Sequence, residues 1–262
     1  MHELPLLIFT LFLQGSVGVT LWLAFGGGNI PQRSVLFAAA GAFVLASLGL
    51  LASALHMGYP LNALNALRHV SSSWLSREIV FASLYLSALG LAILLLLTKK
   101  PGWKPLLIVA GSVGLVDVFC MAQIYMHTSV VTWQHMNTLV LFMGSVGIVG
   151  SACVAPGAKT RGAIRCAVAV VTLLVLARLL MQPVWLADIY ATNSGVVTFP
   201  HAPLQRLEQL RAVHLLSGGV SVLGMLCFAA GGLKSLRGPM LLGSALLIIG
   251  EVMLRFVFFS IG

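Results

Sequence analysis

Eight runs of about twenty apolar residues follow one another along this chain of 262 residues, with short connections between them. A run of that length is what an α-helix needs to cross the hydrocarbon core of a bilayer. Charged residues make up 8% of the chain and the mean hydropathy is +1.03, whereas soluble domains have about 25% charged residues. The pattern excludes an ordinary water-soluble enzyme and predicts an integral membrane protein.

The predicted fold is an all-α bundle of eight transmembrane helices that forms a single membrane domain, residues 1–262. Connections rich in Gly and Pro separate the runs. No Lys or Arg precedes Arg33, so the first run is expected to be a retained span rather than a cleaved signal peptide. The helices are predicted at residues 5–25, 34–56, 77–98, 104–127, 136–155, 163–184, 209–231 and 239–260.

Basic residues concentrate in alternate connections, and this asymmetry predicts the orientation of the bundle. The positive-inside rule places the basic connections in the cytoplasm. Both termini are then expected outside the cytoplasm (N-out, C-out) in a bacterial inner membrane. The net charge of +9 is assigned to orientation and to anionic lipids, not to nucleic acid. The cytoplasmic connections would hold Arg33, Lys99, Lys100, Lys104, Lys159, Arg161, Arg165, Lys234 and Arg237.

Two of the outer connections, residues 56–77 and 184–209, are long for a helical bundle. Long loops often have a function, and these two are expected to dock a partner or to close a pocket. Within the spans, closely spaced glycines predict tight helix packing. They are Gly111, Gly114, Gly144, Gly147, Gly150, Gly218 and Gly219.

Ionisable residues inside a membrane are costly, so each one is a functional or structural candidate. Asp117 and Arg178 lie within the fourth and sixth spans, and an ion pair between them is one possibility. Glu251 and Arg255 are four residues apart in the eighth span, a spacing that favours a structural ion pair on one helix face. The cysteines form no metal-binding spacing, and no metal site is predicted.

Two further residues are candidates for proton transfer at the outer ends of the second and third spans. Glu78 begins the third span, with Ser76 as a plausible N-cap. It is either an acid that suits the helix dipole or a half-buried proton acceptor facing lipid at the membrane edge. His56 ends the second span and is either a solvated helix end or a hydrogen-bonding, proton-passing imidazole. His127, His135 and His214 also lie near outer helix ends, but no spacing singles out a haem-binding pair.

The chain has no phosphate-binding loop, dinucleotide motif or nucleophile elbow. An apolar slot with hydrogen-bonding and proton-accepting groups fits a quinol pocket whose electron acceptor is in a partner. A small-solute transporter is the alternative from another class, although the inverted repeat typical of that class is not evident. A purely structural anchor without its own quinol site is the second alternative.

Several stretches resemble the membrane anchor subunit of dimethyl sulfoxide reductase. The most specific motifs are His56-x-Gly58-x-Pro60 and Leu75-Ser76-x-Glu78-Ile79. The similar stretches are residues 2–10, 53–60, 63–67, 75–79 and 250–255, with a weaker match around 125–133.

The resemblance implies an N-out bundle of eight helices that binds menaquinol and contains no haem. It also implies an iron–sulfur ([4Fe–4S]) subunit and a molybdopterin catalytic subunit docked on the outer, long-loop face, acting in anaerobic respiration. The quinol-site histidine and glutamate of that family match His56 and Glu78. We expect Arg77 or Arg68 to orient the carboxylate or the docked subunit.

Overall fold

The structure is a computed structural model that describes residues 4–25, 30–56, 65, 67–192 and 203–262. The described residues form helices and connections, with no strand among them. The helices are α1 Leu4–Phe25, α2 Gln32–His56, α3 Trp74–Leu97, α4 Trp103–Met126, α5 Met136–Val154, α6 Arg161–Thr192, α7 Pro203–Gln209, α8 Arg211–Lys234 and α9 Arg237–Ile261.

All of these helices except the short α7 are long and apolar enough to cross a membrane, so the described residues contain eight candidate spans. This confirms the predicted all-α fold and the number of spans. Consecutive spans alternate in direction, and α1 begins at the same end of the bundle where α3, α5 and α8 begin. We call this the N-terminal end.

Helices α1 and α5 form the interior of the bundle, whereas α2, α3, α6 and α8 turn much of their surface outward. One large apolar cluster contains residues from each of the helices α1 through α5 and from the end of α9. A second contains residues of α5, α6, α8 and α9. Without water between the helices, such bundles are stabilised by close van der Waals packing. The two interior helices therefore position most of the polar side chains described below.

Helices α1 and α5 approach most closely at Gly18 and Gly150. A Cβ atom on Gly150 would lie 2.5 Å from the carbonyl carbon of Gly18, closer than atoms can approach. Packing is thus confirmed as the role of Gly150. Gly218 and Gly219 are different, because a Cβ on either would meet open space, so the expectation of tight packing there was wrong.

We predict that Gly150→Ala separates α1 from α5 and lowers the free energy of unfolding by about 1–3 kcal/mol, the usual cost of overpacking. The clash is with main chain, which cannot move aside as a side chain would. Gly41→Ala is the matched control, since a Cβ at Gly41 on α2 meets nothing. Titration of both variants with a denaturing detergent measures the difference, and equal midpoints would contradict the prediction.

The largest departure from the predicted boundaries is in α6. This helix was expected to end at residue 184, but it continues through Pro183 to Thr192. Its extension has an apolar face, since Trp185 and Ile189 are buried against Leu207 of α7. The Trp185 indole N–H also donates a hydrogen bond of 3.1 Å to the carbonyl oxygen of Thr132. Most of the expected loop 184–209 is therefore helix, and residues 193–202 lie outside the described residues.

Candidate functional site

The first residues of α3 form the best-defined part of the candidate site. Ser73 caps the helix and accepts a hydrogen bond from the Ser76 backbone N–H. The helix thus starts three residues before the predicted boundary, and Ser76 was wrongly assigned as its cap. Glu78 consequently lies in the second turn, where the helix dipole acts only weakly on it.

Glu78 faces the interior of the bundle rather than lipid. Its side chain is on the same helix face as Ala82, Tyr85 and Leu89, all of them buried, because residues spaced by three or four share a helix face. Only 6% of Glu78 is exposed. The expectation of a half-buried carboxylate against lipid was therefore wrong.

Asp117 on α4 is the nearest acidic neighbour of Glu78. The two carboxyl groups lie close enough to interact electrostatically. Asp117 is fully buried, and the backbone N–H of Ala82 on α3 reaches its carboxylate only as a weak contact, so neither oxygen has a hydrogen bond of ordinary geometry among the described residues. Because buried polar groups are nearly always hydrogen-bonded, this pair of neighbouring buried carboxyls is the candidate functional site.

His56 ends α2 at the same end of the bundle, and its side chain lies outside the described residues. Helix register nevertheless fixes the height of its backbone. Gly90 of α3 packs against the Phe43 ring of α2. His56 is thirteen residues beyond Phe43, and Glu78 is twelve residues before Gly90, so each lies about 18–20 Å along its helix from that contact. The backbones of His56 and Glu78 are therefore at similar heights.

Arg77 is directed away from the Glu78 carboxylate. Its Nε donates to the carbonyl oxygen of Val70 at 3.0 Å, and its Nη2 donates to that of Ser71 at 2.5 Å. The guanidinium also lies 4.3 Å from the centre of the Trp74 ring. Arg77 thus fastens the preceding segment to α3. Arg68 is exposed in a short 3₁₀ helix, Leu67–His69.

The remaining charges inside the bundle pair differently from the sequence-based expectation. Arg178 of α6 makes a bidentate ion pair with Glu251 of α9. The proposed pairs Asp117–Arg178 and Glu251–Arg255 were therefore wrong. Helical spacing within α9 could not reveal this, because the true partner is on another helix.

Ser145 of α5 lies at the centre of this interior charge network. Its hydroxyl is 2.7 Å from a Glu251 oxygen, 3.1 Å from Arg178 Nη2 and 2.9 Å from Arg255 Nη2. Arg255 also donates to Gln14 Oε1 at 2.6 Å. These contacts join four helices and give hydrogen-bond partners to polar atoms that would otherwise lie unpaired in the apolar interior. The role of the network is therefore structural.

Three further histidines near the N-terminal end, His127, His135 and His214, have separate partners. His127 lies against Trp74 and its Nδ1 is 2.9 Å from the carbonyl oxygen of Gln123. His135 caps α5 and pairs with Asp188 at 3.0 Å. His214 is hydrogen-bonded to Gln182 of α6 at 2.8 Å. No group of three or more potential metal ligands occurs within the part of the chain that the structure describes.

These observations define a class: a multi-pass helical membrane protein with a stabilised polar interior and a buried carboxyl pair near one end. The family model for the DMSO reductase anchor subunit (DmsC) matches residues 1–259. The chain belongs to the DMSO reductase anchor subunit (DmsC) family. It is thus a membrane anchor subunit of that family, as its sequence motifs predicted.

Curated relatives agree with this family. The chain is 37% identical over 157 residues to the C subunit of anaerobic dimethyl sulfoxide reductase from Escherichia coli (strain K12), and the match covers 55% of each protein. It is 31% identical over 150 residues to the corresponding subunit from Haemophilus influenzae, covering 53% of this chain and 52% of the relative. The matched regions span about half the length of these relatives. No solved structure matches the chain.

Proposed function

We propose that this anchor subunit oxidises menaquinol and passes the electrons to a partner subunit during anaerobic respiration. The observation that carries the proposal is the buried Glu78 carboxyl, which lies beside Asp117 and level with the end of α2 at His56. A proton acceptor in an apolar slot is what quinol oxidation requires of the protein.

In the proposed reaction, menaquinol enters from the bilayer at the N-terminal end of the bundle, between the end of α2 and the start of α3. Glu78 accepts the proton of one ring hydroxyl, and His56 binds the other ring oxygen and takes its proton. Oxidation of the quinol to the quinone releases two protons and two electrons. The electrons leave for a [4Fe–4S] cluster in the partner, because this chain is proposed to hold neither haem nor another redox metal.

The partners in this proposal are an iron–sulfur subunit and a molybdopterin catalytic subunit on the outer, N-terminal end of the bundle. Short distances favour electron transfer, so the cluster and the quinol should share an end. The basic residues of the opposite connections support an N-out, C-out orientation in a bacterial inner membrane. On that orientation the protons from quinol leave to the extracytoplasmic side.

The alternatives differ in what the interior charges do. A transporter would use them at a solute site formed by discontinuous helices. Instead, the described spans are continuous and Arg178 and Glu251 bind each other. A purely structural anchor would leave the buried Glu78 carboxyl without a role, although burying an ionisable group costs stability.

The test is to produce this chain together with its iron–sulfur and molybdopterin partners and to purify them through a tag on this chain. We expect the three to co-purify and to reduce their substrate with a menaquinol analogue. Without this chain, the pair should accept electrons only from a soluble dye. If the iron–sulfur and molybdopterin subunits alone turned over with quinol, this chain would be a purely structural anchor. Failure to co-purify would remove the proposed partnership.

A further inference from the structure

A second candidate site opens between α6 and α8, on the far side of the bundle from Glu78. It is a cleft with a volume of about 860 Å³, within the roughly 300–1,000 Å³ that small-molecule sites occupy. Leu179 and Leu215 at its mouth are exposed, so the cleft opens toward lipid. Its walls include Arg178, Gln182, His214, Gly218, Ser221 and Leu254.

Hydrogen-bonding groups lie deep in this cleft rather than only at its mouth. Glu208 and Arg211 are at the N-terminal rim, and Ser221 is ten residues further along α8, about 15 Å deeper. His214 and Gln182 lie between these levels and are hydrogen-bonded across the two helices. In lipid, polar side chains at such depth normally serve structure or a ligand.

The charges of the cleft nearly cancel. Glu208 and Arg211 are of opposite sign at the rim, and the Arg178 guanidinium is neutralised by Glu251. An anionic phospholipid would be attracted by an excess of Lys and Arg near the surface. A phospholipid bound in the cleft would also place only its acyl chains beside the Gln182 amide and the His214 imidazole, where they could make no hydrogen bond. The cleft instead suits an uncharged ring with oxygen substituents and an apolar tail.

Gly218 lines the cleft at a point where a side chain would enter open space. A Cβ at this position would meet no atom within 4 Å, so the missing side chain leaves room for a ligand rather than for a neighbouring helix. Gly219 is also free of contacts, but it does not line the cleft. The pair therefore provides a cavity-filling variant and a matched control one residue apart.

We propose that the α6–α8 cleft binds the ring of a membrane quinone at a second site, separate from the one at Glu78. The Gln182 amide and the His214 imidazole form the polar part of the wall, and the leucines at the mouth contact the isoprenoid tail. No reaction occurs at this site. The quinone ring displaces lipid from the cleft because it fits the polar wall better than an acyl chain does. The proposal does not require that Glu78 take part in catalysis.

The test uses the full chain in lipid nanodiscs, titrated with menaquinone that has two isoprene units. Trp185 stacks on His214 with ring centres 5.8 Å apart, so quinone in the cleft should quench its fluorescence. We expect a saturable component that disappears in Trp185→Phe. Gly218→Leu should weaken this component at least about tenfold (about 1.4 kcal/mol), whereas Gly219→Leu and Glu78→Gln should leave it unchanged.

His214→Phe keeps the stacked ring but removes its nitrogens, and it provides a second variant should Gly218→Leu misfold. We expect the same weakening in this variant. Unaltered quenching in either folded variant would overturn the proposal. The proposal would also be overturned if Gly218→Leu lost a bound phospholipid, measured by mass spectrometry, while its quinone quenching stayed normal, because the cleft would then be a lipid site. Loss of the component in Glu78→Gln would assign the signal to the other site and also overturn it.

Discussion

Glu78→Gln is expected to lower menaquinol-dependent turnover of the assembled complex by about 10²–10⁴-fold, the usual contribution of a positioned proton acceptor. The amide has nearly the same size and shape, so it fills the same space between α3 and α4. It cannot accept the proton of a quinol hydroxyl. Electron delivery from a soluble dye bypasses this step and should be unchanged, and so should the yield of assembled complex.

Asp188→Asn is the matched control for this experiment. Asp188 is a mostly exposed carboxylate at the same end of the bundle, paired with His135, and lies outside the proposed quinol site. Its loss should alter turnover little, because exposed ion pairs contribute at most about 1 kcal/mol. Normal menaquinol oxidation by Glu78→Gln would remove Glu78 from the mechanism while leaving the anchor role intact.

Breaking the ion pair between Arg178 and Glu251 is expected to cost about 3–5 kcal/mol of unfolding free energy, because each single substitution removes one partner of a buried, hydrogen-bonded pair. Arg178→Met and Glu251→Met test the two halves. The double variant should recover only part of the loss, since Arg255 then remains buried in the same network without its acidic neighbour. The free energies are measured by titration of the folded chain with a denaturing detergent.

Arg165→Met serves as the control for this series because Arg165 is exposed and surface substitutions usually change stability by less than about 0.5 kcal/mol. A loss below about 1 kcal/mol in both single variants would contradict the structural role. Additive losses in the double variant would mean that the two side chains do not depend on each other.

Apolar run length was enough to predict the eight spans, because a bilayer imposes both length and helical hydrogen bonding on a spanning segment. It failed at α6, where Asp188 and the other residues after 184 were predicted to be part of a loop. There, burial of Trp185 and Ile189 against α7 and α9 keeps the segment helical. Such tertiary support has no signature in a window of local sequence.

Residue spacing along the sequence also could not predict which buried charges pair with each other. Glu251 is well placed for Arg255 along α9, yet Arg178 reaches it because Gly144 leaves room. A Cβ at Gly144 would lie 2.7 Å from Arg178 Nε. The direction of Glu78, in contrast, was available from the pattern, since it shares its helix face with apolar residues four, seven and eleven positions further along α3. Reading that face as buried would have placed the carboxyl inside the bundle.

The length of α6 has a consequence for the outline of the protein above the lipid. Its 32 residues extend about 48 Å, whereas the hydrocarbon core is about 30 Å thick. Tilt alone would have to exceed the usual limit of about 40° to hide the excess. The terminal turns around Trp185 and Ile189 therefore rise out of the hydrocarbon core, into the head-group layer or past it. Any subunit that docks on that end therefore meets a raised surface formed by the last turns of α6.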